Sequence, residues 1–214
     1  MPRVADSRSA AAPTTQPQRA RRVRILQAAT EQAMAKDFDR VQMHDVAEAA
    51  EVAIGTLYRY FPSKTHLFVG VMARQVQGLS EGFARNPPTG GTPASRIFDT
   101  LWGIHGYLLD NPTLASAMIQ AVQSANAETV PEVRVIDTSI REALARVLGT
   151  DDPDQDTAAV IRILIMMWFG ILQSSLNARF TTAEAEYDLR LACHRLLDGR
   201  AVGTSGAPGA EDQP

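Results

Sequence analysis

Residues 42–64 read QMHDVAEAAEVAIGTLYRYFPSK, and this stretch decides the fold of the N-terminal part of the chain. Its spacing predicts a short helix over 41–50, a tight turn, and a second short helix over 53–60. Ala47 is small, as a residue must be where two helices cross near a right angle. The apolar residues that would meet at this crossing are Val46, Ala47, Ala50, Val52, Ile54 and Leu57. The stretch is therefore interpreted as a helix-turn-helix.

Hydroxyl and cationic side chains follow the turn, and such groups bind the phosphate oxygens and base edges of DNA. They are Thr56, Tyr58, Arg59, Tyr60 and Lys64. Four further arginines, Arg19, Arg21, Arg22 and Arg24, stand directly before the first apolar helical pattern. We interpret them as a basic arm that follows a phosphate backbone or enters a minor groove, with a solvated charge run as the alternative.

Composition is typical of a globular protein. Of the 214 residues, 45% are hydrophobic and 21% are charged, which suits one large or two small domains. Cys193 is the single cysteine, and no clustered histidines accompany it, so we expect neither a disulfide nor a metal site. The first arginines precede no apolar stretch, and the apolar run at 158–172 is interrupted by Arg162. We therefore expect no signal peptide and no membrane span, and a cytoplasmic location.

Charge is distributed unevenly along the chain. Residues 1–80 contain 11 Lys and Arg against 7 Asp and Glu, a net charge of +4, whereas residues 81–214 carry −7 within the overall −3. The basic part is the part that contains the helix-turn-helix, which favours DNA as its partner.

The chain shows no alternating strand pattern, so we predict an all-α fold. Residues 1–18, a basic segment, and residues 199–214 lack an apolar period and are predicted to be disordered tails. Residues 19–65 are predicted to form a three-helix domain that contains the helix-turn-helix, and residues 66–198 a second helical domain. In the latter a helix starts after Ser63 with Met72 and Val76 on its apolar stripe, and turn formers cluster at 86–93. Further helices are predicted at 94–109, 112–124, 128–148, 154–179 and 182–197.

The predicted helix at 154–179 is apolar all round, which is the pattern of a helix buried on every side. A chain of this size rarely needs so apolar a helix near its C-terminal end. We therefore predict a self-association surface formed with 182–197, so that two helices from each of two subunits make a four-helix bundle in a homodimer.

Residues 46–64, VAEAAEVAIGTLYRYFPSK, closely resemble the DNA-binding motif of TetR-type transcriptional regulators. The segments RRVRIL, VQM and GTLYRYFPSK, and the downstream NPxLxxAM at 111–118, are similar more narrowly to sterol-catabolism repressors of the KstR type. The resemblance implies an all-α homodimer that binds a palindromic double-stranded operator through its N-terminal helices. It implies release of that operator when a bulky hydrophobic effector, such as a steroid or its CoA thioester, enters the C-terminal domain. It implies no cofactor.

The resemblance also implies roles for individual residues. By its chemistry Arg59 could reach guanine, whereas Ala53 and Ile54 could meet a thymine methyl. The residues matched to phosphate contacts are Gln42, Thr56, Tyr58, Tyr60 and Lys64, and those matched to base-edge positions are His44, Ala53, Ile54, Gly55 and Arg59.

Three residues depart from the family pattern. Glu51 occupies the turn position where glycine is usual, and glycine is the residue that accepts a left-handed backbone without steric cost. Either Glu51 is strained or the turn is drawn differently. His66 replaces the acid that completes the capping box begun by Ser63, which predicts a weaker cap. Gln42 replaces a common threonine, which bears on that phosphate contact.

The second domain contains Met and aromatic residues that suit a large apolar ligand, although such a stripe is also common in a plain core. The predicted cavity residues are Trp102, His105, Tyr107, Met118, Met166, Trp168 and Phe169. A half-buried, hydrogen-bonded core residue is the alternative for His105. A CoA moiety would require basic residues at the cavity mouth, and the candidates are Arg134, Arg141, Arg162 and Arg179.

Three alternatives remain open from the sequence. One is a regulator of efflux or fatty-acid genes that responds to a different hydrophobic ligand. The second is a helical enzyme with His105, Tyr107 or Asp110 as acid or base, and the third is an interaction module that has lost DNA binding. No nucleophile motif, glycine-rich phosphate loop or paired carboxylates support an enzyme, so we expect no catalytic residue.

Overall fold

The structure, a computed structural model, describes residues 13–85 and 90–198. The described residues form helices and turns without a strand, which confirms the all-α prediction. Residues 1–12 and 199–214 of the predicted tails, and residues 86–89 of the predicted turn, lie outside the described residues. The described helices are α1 (Gln16–Ala35), α2 (Met43–Ala49), α3 (Ile54–Tyr60), α4 (Lys64–Arg85), α5 (Pro93–Asp110), α6 (Pro112–Ser124), α7 (Glu132–Leu148), α8 (Gln155–Leu176) and α9 (Thr182–Leu197), with a 3₁₀ turn at Phe38–Arg40.

Helix α1 begins earlier than predicted, because its first residues form a capping box. The Gln18 N–H donates to Thr15 Oγ1 at 3.4 Å, and Gln18 Oε1 accepts from the Thr15 N–H at 3.2 Å. The predicted tail is therefore wrong over 16–18. The four arginines at 19–24 lie on the first turns of α1 and not on an arm that precedes it.

The turn between α2 and α3 confirms that Glu51 takes the place of a glycine. Its φ is +54°, in the left-handed region. The Glu51 N–H donates to Glu48 O and the Val52 N–H to Ala47 O, each at 3.0 Å. These two bonds form a Schellman motif, which ends α2 and directs the chain into α3.

Helix α4 joins the two halves of the described chain. Leu67 and Phe68, in its first two turns, are fully buried, and α4 packs on α1. Gly70 allows α4 to approach α1 closely, since a Cβ there would stand 2.9 Å from the Phe61 ring and 3.1 Å from Leu26. The cap predicted at Ser63 forms, because Ser63 Oγ accepts from the His66 N–H at 3.3 Å.

In the second half, α4 packs mainly on α6 and α7, α5 packs on α7 and α9, and α8 packs on α9. Only one face of α8 is buried, whereas Ile163 is half-exposed and Met166 is 76% exposed. The prediction that this helix is buried on every side is therefore wrong for the single chain. Its apolar outer face is the surface that a second subunit would cover.

The expectation of no membrane span was based on the apolar run at 158–172, but helix α8 is longer than that run. It contains 22 residues and is apolar enough to cross a membrane by length and composition alone. The core helix of a globular protein meets the same criterion. Here the inner face, with Ile161, Leu164 and Leu172, is buried against neighbouring helices.

Candidate nucleic-acid interface and ligand cavity

Helix α3 exposes one side over most of its length. Tyr58 is 47% exposed, and Ile54, Gly55 and Arg59 are exposed beside it. Positions four apart on a helix share a face, so Ile54 and Tyr58 form one row and Gly55 and Arg59 the next. A Cβ at Gly55 would meet nothing within 4 Å. This face is open to a partner that needs to approach the backbone closely.

Several residues that precede this face are exposed as well. Gln42 and His44 at the start of α2 are exposed, as is Ala53 at the start of α3, while Thr56 is half-buried. Gln42 is the N-cap residue of α2, and its side chain makes no capping bond. Nine of the ten residues matched to DNA contacts are thus at least partly exposed.

Tyr60 is the exception, and the structure corrects its assignment. It is 2% exposed, and its buried hydroxyl has no hydrogen-bond partner. Because it lies three residues after the buried Leu57, helical periodicity turns it toward the core. The Arg59 guanidinium lies over the Tyr60 ring, with its Cζ 5.4 Å from the ring centroid. Tyr60 is therefore a core residue in this conformation and not a phosphate contact.

The Lys64 side chain is partly engaged in hydrogen bonds within the protein. Its Nζ donates to Phe38 O at 2.8 Å and to Asp39 O at 3.2 Å, and it lies 4.8 Å from the centroid of the Phe38 ring. These bonds fasten the 3₁₀ turn to the start of α4.

The arginines of α1 differ in their surroundings. Arg19 and Arg24 are exposed and Arg21 is half-buried. Arg22 instead lies over the Phe61 ring, with its Cζ 5.2 Å from the centroid, and Arg22 Nη2 is 3.9 Å from Glu132 Oε1 on α7. Burial lowers the pKa of the Arg22 guanidinium, an effect that Glu132 opposes. Arg22 thus faces the second domain.

An apolar cavity lies among α4, α5, α6, α7 and α8. Its volume of about 50 Å³ is well below the roughly 300–1,000 Å³ typical of ligand sites, so a bulky ligand requires these helices to move apart. Three of the seven predicted residues, Tyr107, Met118 and Trp168, line it. The other lining residues are Met72, Gln75, Val76, Leu79, Ser80, Thr100, Leu101, Ile104, Leu108, Ile140, Ala143 and Leu144.

Two predicted cavity residues of α5 lie on a different stripe. Trp102 stacks on Phe98 with centroids 6.0 Å apart and on His105 at 5.0 Å. The guanidinium carbon of Arg190, on α9, lies 3.9 Å from the centroid of the Phe98 ring. This stripe of α5 therefore faces α9. His105 is fully buried and neither ring nitrogen has a hydrogen-bond partner, which contradicts the half-buried alternative as well. Burial lowers the pKa of His105.

The remaining two predicted cavity residues belong to α8. Met166 points outward, and Phe169 is half-buried with its ring edge to Trp168 at 5.1 Å. Neither lines the cavity.

Helix α4 is the wall that sequence reasoning missed. It contributes five of the lining residues, among them Met72, Val76 and Leu79. Their spacing of four and three residues places them on one helical stripe. The sequence predicts Met72 and Val76 on an apolar stripe but does not predict that the stripe lines a cavity.

None of the four arginines predicted at the cavity mouth lines the cavity. Arg134, Arg162 and Arg179 are exposed elsewhere, and Arg141 Nη2 donates to Thr138 Oγ1 at 3.3 Å. Over the described ranges no group of three or more His, Cys, Asp or Glu side chains is placed to hold a metal ion.

A second apolar surface covers the outer faces of α8 and α9. A groove between these helices is lined by Met167, Gly170 and Leu191, with Asp188 and Arg195 at polar positions. Met166 lies on the same outer side of α8. This surface, which we call the α8–α9 face, matches the predicted self-association region.

Comparisons with known proteins cover both halves of the chain. The family described as "Bacterial regulatory proteins, tetR family" matches residues 25–71, and "Tetracyclin repressor-like, C-terminal domain" matches residues 90–196. The HTH-type transcriptional repressor KstR of Mycolicibacterium smegmatis is 33% identical over 197 residues, covering 92% of this chain and 91% of that protein.

Two solved structures extend this similarity. The crystal structure of a TetR transcriptional regulator from Rhodococcus sp. RHA1 has a TM-score of 0.81 and 43% identity, covering 89% of this chain and all of that one. Thermus thermophilus FadR, a TetR-family repressor solved with lauroyl-CoA, has a TM-score of 0.63 and 21% identity over 88% of this chain and 100% of that one.

Proposed function

Because the chain belongs to the TetR family of bacterial transcriptional regulators, we propose that it is a homodimeric repressor whose operator is released by a bulky hydrophobic effector. It is a TetR-type transcriptional repressor homologous to KstR. The palindromic operator is bound by the exposed face of α3 and the start of α2. We expect the protein to act in the cytoplasm, without catalysis.

The observation that carries this proposal is the double role of α4. Phe68, in the second turn of the helix, is fully buried and meets the Phe38 ring, in the turn before α2, edge to face with the centroids 5.3 Å apart. Met72 and Val76, one and two turns further on, line the cavity. A ligand that enlarges the cavity has to displace α4, and a displaced α4 carries the helix-turn-helix with it.

This arrangement meets the physical requirement for ligand control. An effector shifts an equilibrium only by its differential affinity for two states. An effector that fits only an expanded cavity favours a state in which the cavity is larger than the one observed. A coupling of about 1–3 kcal/mol per site is typical, and a dimer has two such sites.

The chemistry of the cavity favours a large apolar effector. Its lining is almost entirely aliphatic and aromatic, with the flat Trp168 ring on one wall and the flexible Met72 and Met118 on others. Similarity to KstR supports a steroid or its CoA thioester, and the lauroyl-CoA complex of FadR supports a CoA thioester more generally. The alternative is a regulator of efflux or fatty-acid genes, whose effector is an acyl chain or another hydrophobic compound.

Dimerisation follows from the α8–α9 face. An exposed apolar surface of this kind is costly in water and is typically covered in an obligate dimer. With two α8 and two α9 helices packed together, both α3 helices can read the half-sites of one palindrome.

Sequencing the genomic fragments that the purified protein retains tests this proposal. We expect enrichment of a palindrome upstream of a small set of genes. Titration of the bound fragment with choloyl-CoA, stearoyl-CoA and ethidium then separates the two effector classes. Retention of no fragment at low salt would contradict the proposal, and release by ethidium alone would contradict a thioester effector.

A further inference from the structure

Arg22 and Glu132 connect α1 directly to α7. Arg22 Nη2 lies 3.9 Å from Glu132 Oε1, and their side chains are only 28% and 26% exposed. The Arg22 guanidinium also covers the Phe61 ring, which lies at the end of α3. One side chain of α1 therefore contacts both Phe61, at the end of α3, and the first residue of α7.

A second contact lies nearby. His66 Nε2 lies 3.2 Å from Thr129 O, in the loop before α7, and His66 Nδ1 lies 2.8 Å from Ser63 Oγ. The ring can donate from Nε2 to the carbonyl while Nδ1 accepts from the hydroxyl. The beginning of α7 is thus fastened to α1 on one side and to the beginning of α4 on the other.

Helix α7 reaches from these contacts to the cavity. Glu132 is its first residue, and Ile140, Ala143 and Leu144, two to three turns along, line the cavity. A helix of this length moves largely as a unit, so expansion of the cavity at Ile140 is transmitted to Glu132. This path runs beside that of α4 and uses different residues.

We propose that Arg22 and Glu132 are positioning residues that hold the helix-turn-helix on α7 while the cavity is small, and that effector binding separates them. The proposal rests on the repressor function proposed above. Arg22, matched by position to a DNA-binding arm, then acts mainly between the domains. Glu132 Oε2 is buried without a hydrogen-bond partner. The pair is therefore incompletely satisfied, which suits a contact that must break.

The test uses Glu132→Gln in the full-length protein. Loss of the pair removes a stabilising contact from the state with the small cavity, so the concentration of choloyl-CoA or stearoyl-CoA needed for half release of the operator should fall about three- to tenfold. The slope of log affinity against log salt should stay unchanged, because Glu132 contacts no phosphate.

Glu142→Gln is the matched control. Glu142 also lies on α7, and it pairs with Arg146 at 3.5 Å on an exposed surface. This control should leave the half-release concentration unchanged. Glu132→Asp, which keeps the charge but shortens the side chain, should give an intermediate value.

Hydrogen exchange provides a readout that needs no effector. In Glu132→Gln, the amides of α1 should exchange faster than in the wild type and in Glu142→Gln. Unchanged exchange in α1, or an unchanged half-release concentration in a protein that the thioesters do release, would overturn the positioning role. A wild-type protein that retains no genomic fragment would instead contradict the repressor function, whatever the exchange experiment gives.

Discussion

Phe38 and Phe68 meet edge to face with their ring centroids 5.3 Å apart, and this contact joins the turn before α2 to the second turn of α4. Lys64 reinforces it, because its ammonium group binds the backbone carbonyls of that turn and lies over the Phe38 ring. The turn before α2 is thus attached to the helix that forms a wall of the cavity. We therefore expect a displacement of α4 to be transmitted to this turn.

Glu51→Gly should stabilise the protein, because glycine adopts the observed φ of +54° without a Cβ clash. A gain of about 1 kcal/mol would raise the melting temperature by roughly 2–4 °C in a chain of this size. Operator affinity should be preserved. Ala178 has the same φ, so Ala178→Gly should give a similar shift, and Glu48→Gly within α2 should lower the melting temperature. A lower melting temperature for Glu51→Gly would contradict the strain at this turn.

Tyr58 and Tyr60 should respond differently to the loss of a hydroxyl group. Tyr58→Phe removes an exposed hydroxyl matched to a phosphate contact, so operator affinity should fall by about three- to tenfold. Tyr60→Phe removes a buried hydroxyl without a partner and should leave affinity unchanged and stability equal or slightly higher. Fluorescence anisotropy with labelled operator measures the first effect and thermal unfolding the second. The reverse pattern would show that the two assignments are exchanged.

The α8–α9 face should be required for dimer formation. Met166→Glu places a charge on this face, and sedimentation should then show a monomer at concentrations where the wild type is a dimer. Val135→Glu is the control, since Val135 is also an exposed apolar residue but lies on α7. A dimeric Met166→Glu variant would exclude this face as the interface.

Much of the helical pattern could be predicted because its signals are local. Thr92 and Thr181 cap helices, Asn111 and Pro112 separate α5 from α6, and Gly149 ends α7 with a φ of +89°. The start of α1 was missed because its first residues resemble a polar tail, although Thr15 caps them.

The cavity was harder to predict because it depends on which helices face each other. Trp102 and Met166 have suitable side chains on the wrong stripes, whereas Val76 and Leu79 line the cavity only because α4 packs on α7 and shares the cavity with α5. Tyr60 was misassigned because a motif position identifies a residue but not the face it takes in this chain.

His105 should make stability depend on pH. Its folded-state pKa lies below the unfolded value of about 6.5, so the unfolded chain binds more protons as the pH falls below that value. Stability is therefore fully present above about pH 6.5 and falls below it, by at most about 1.4 kcal/mol per pH unit until the folded-state pKa is reached. Between pH 7.5 and pH 5.5, roughly one unit on either side of the unfolded-state pKa, the melting temperature of His105→Leu should fall by less than that of the wild type. His44→Leu, at an exposed histidine, is the control. An equal fall in melting temperature for His105→Leu and the wild type would contradict a neutral buried histidine.

We propose that one dimer couples the α3 face to the cavity among α4, α5, α6, α7 and α8. This coupling is tested most directly by the anisotropy of a labelled operator bound to the wild-type dimer during titration with a steroid-acid CoA thioester. We predict complete, saturable release, with the half-release concentration raised by Ala143→Leu, which fills the cavity at a lining residue. An operator that stays bound at every thioester concentration, or a release that Ala143→Leu leaves unchanged, would contradict this coupling.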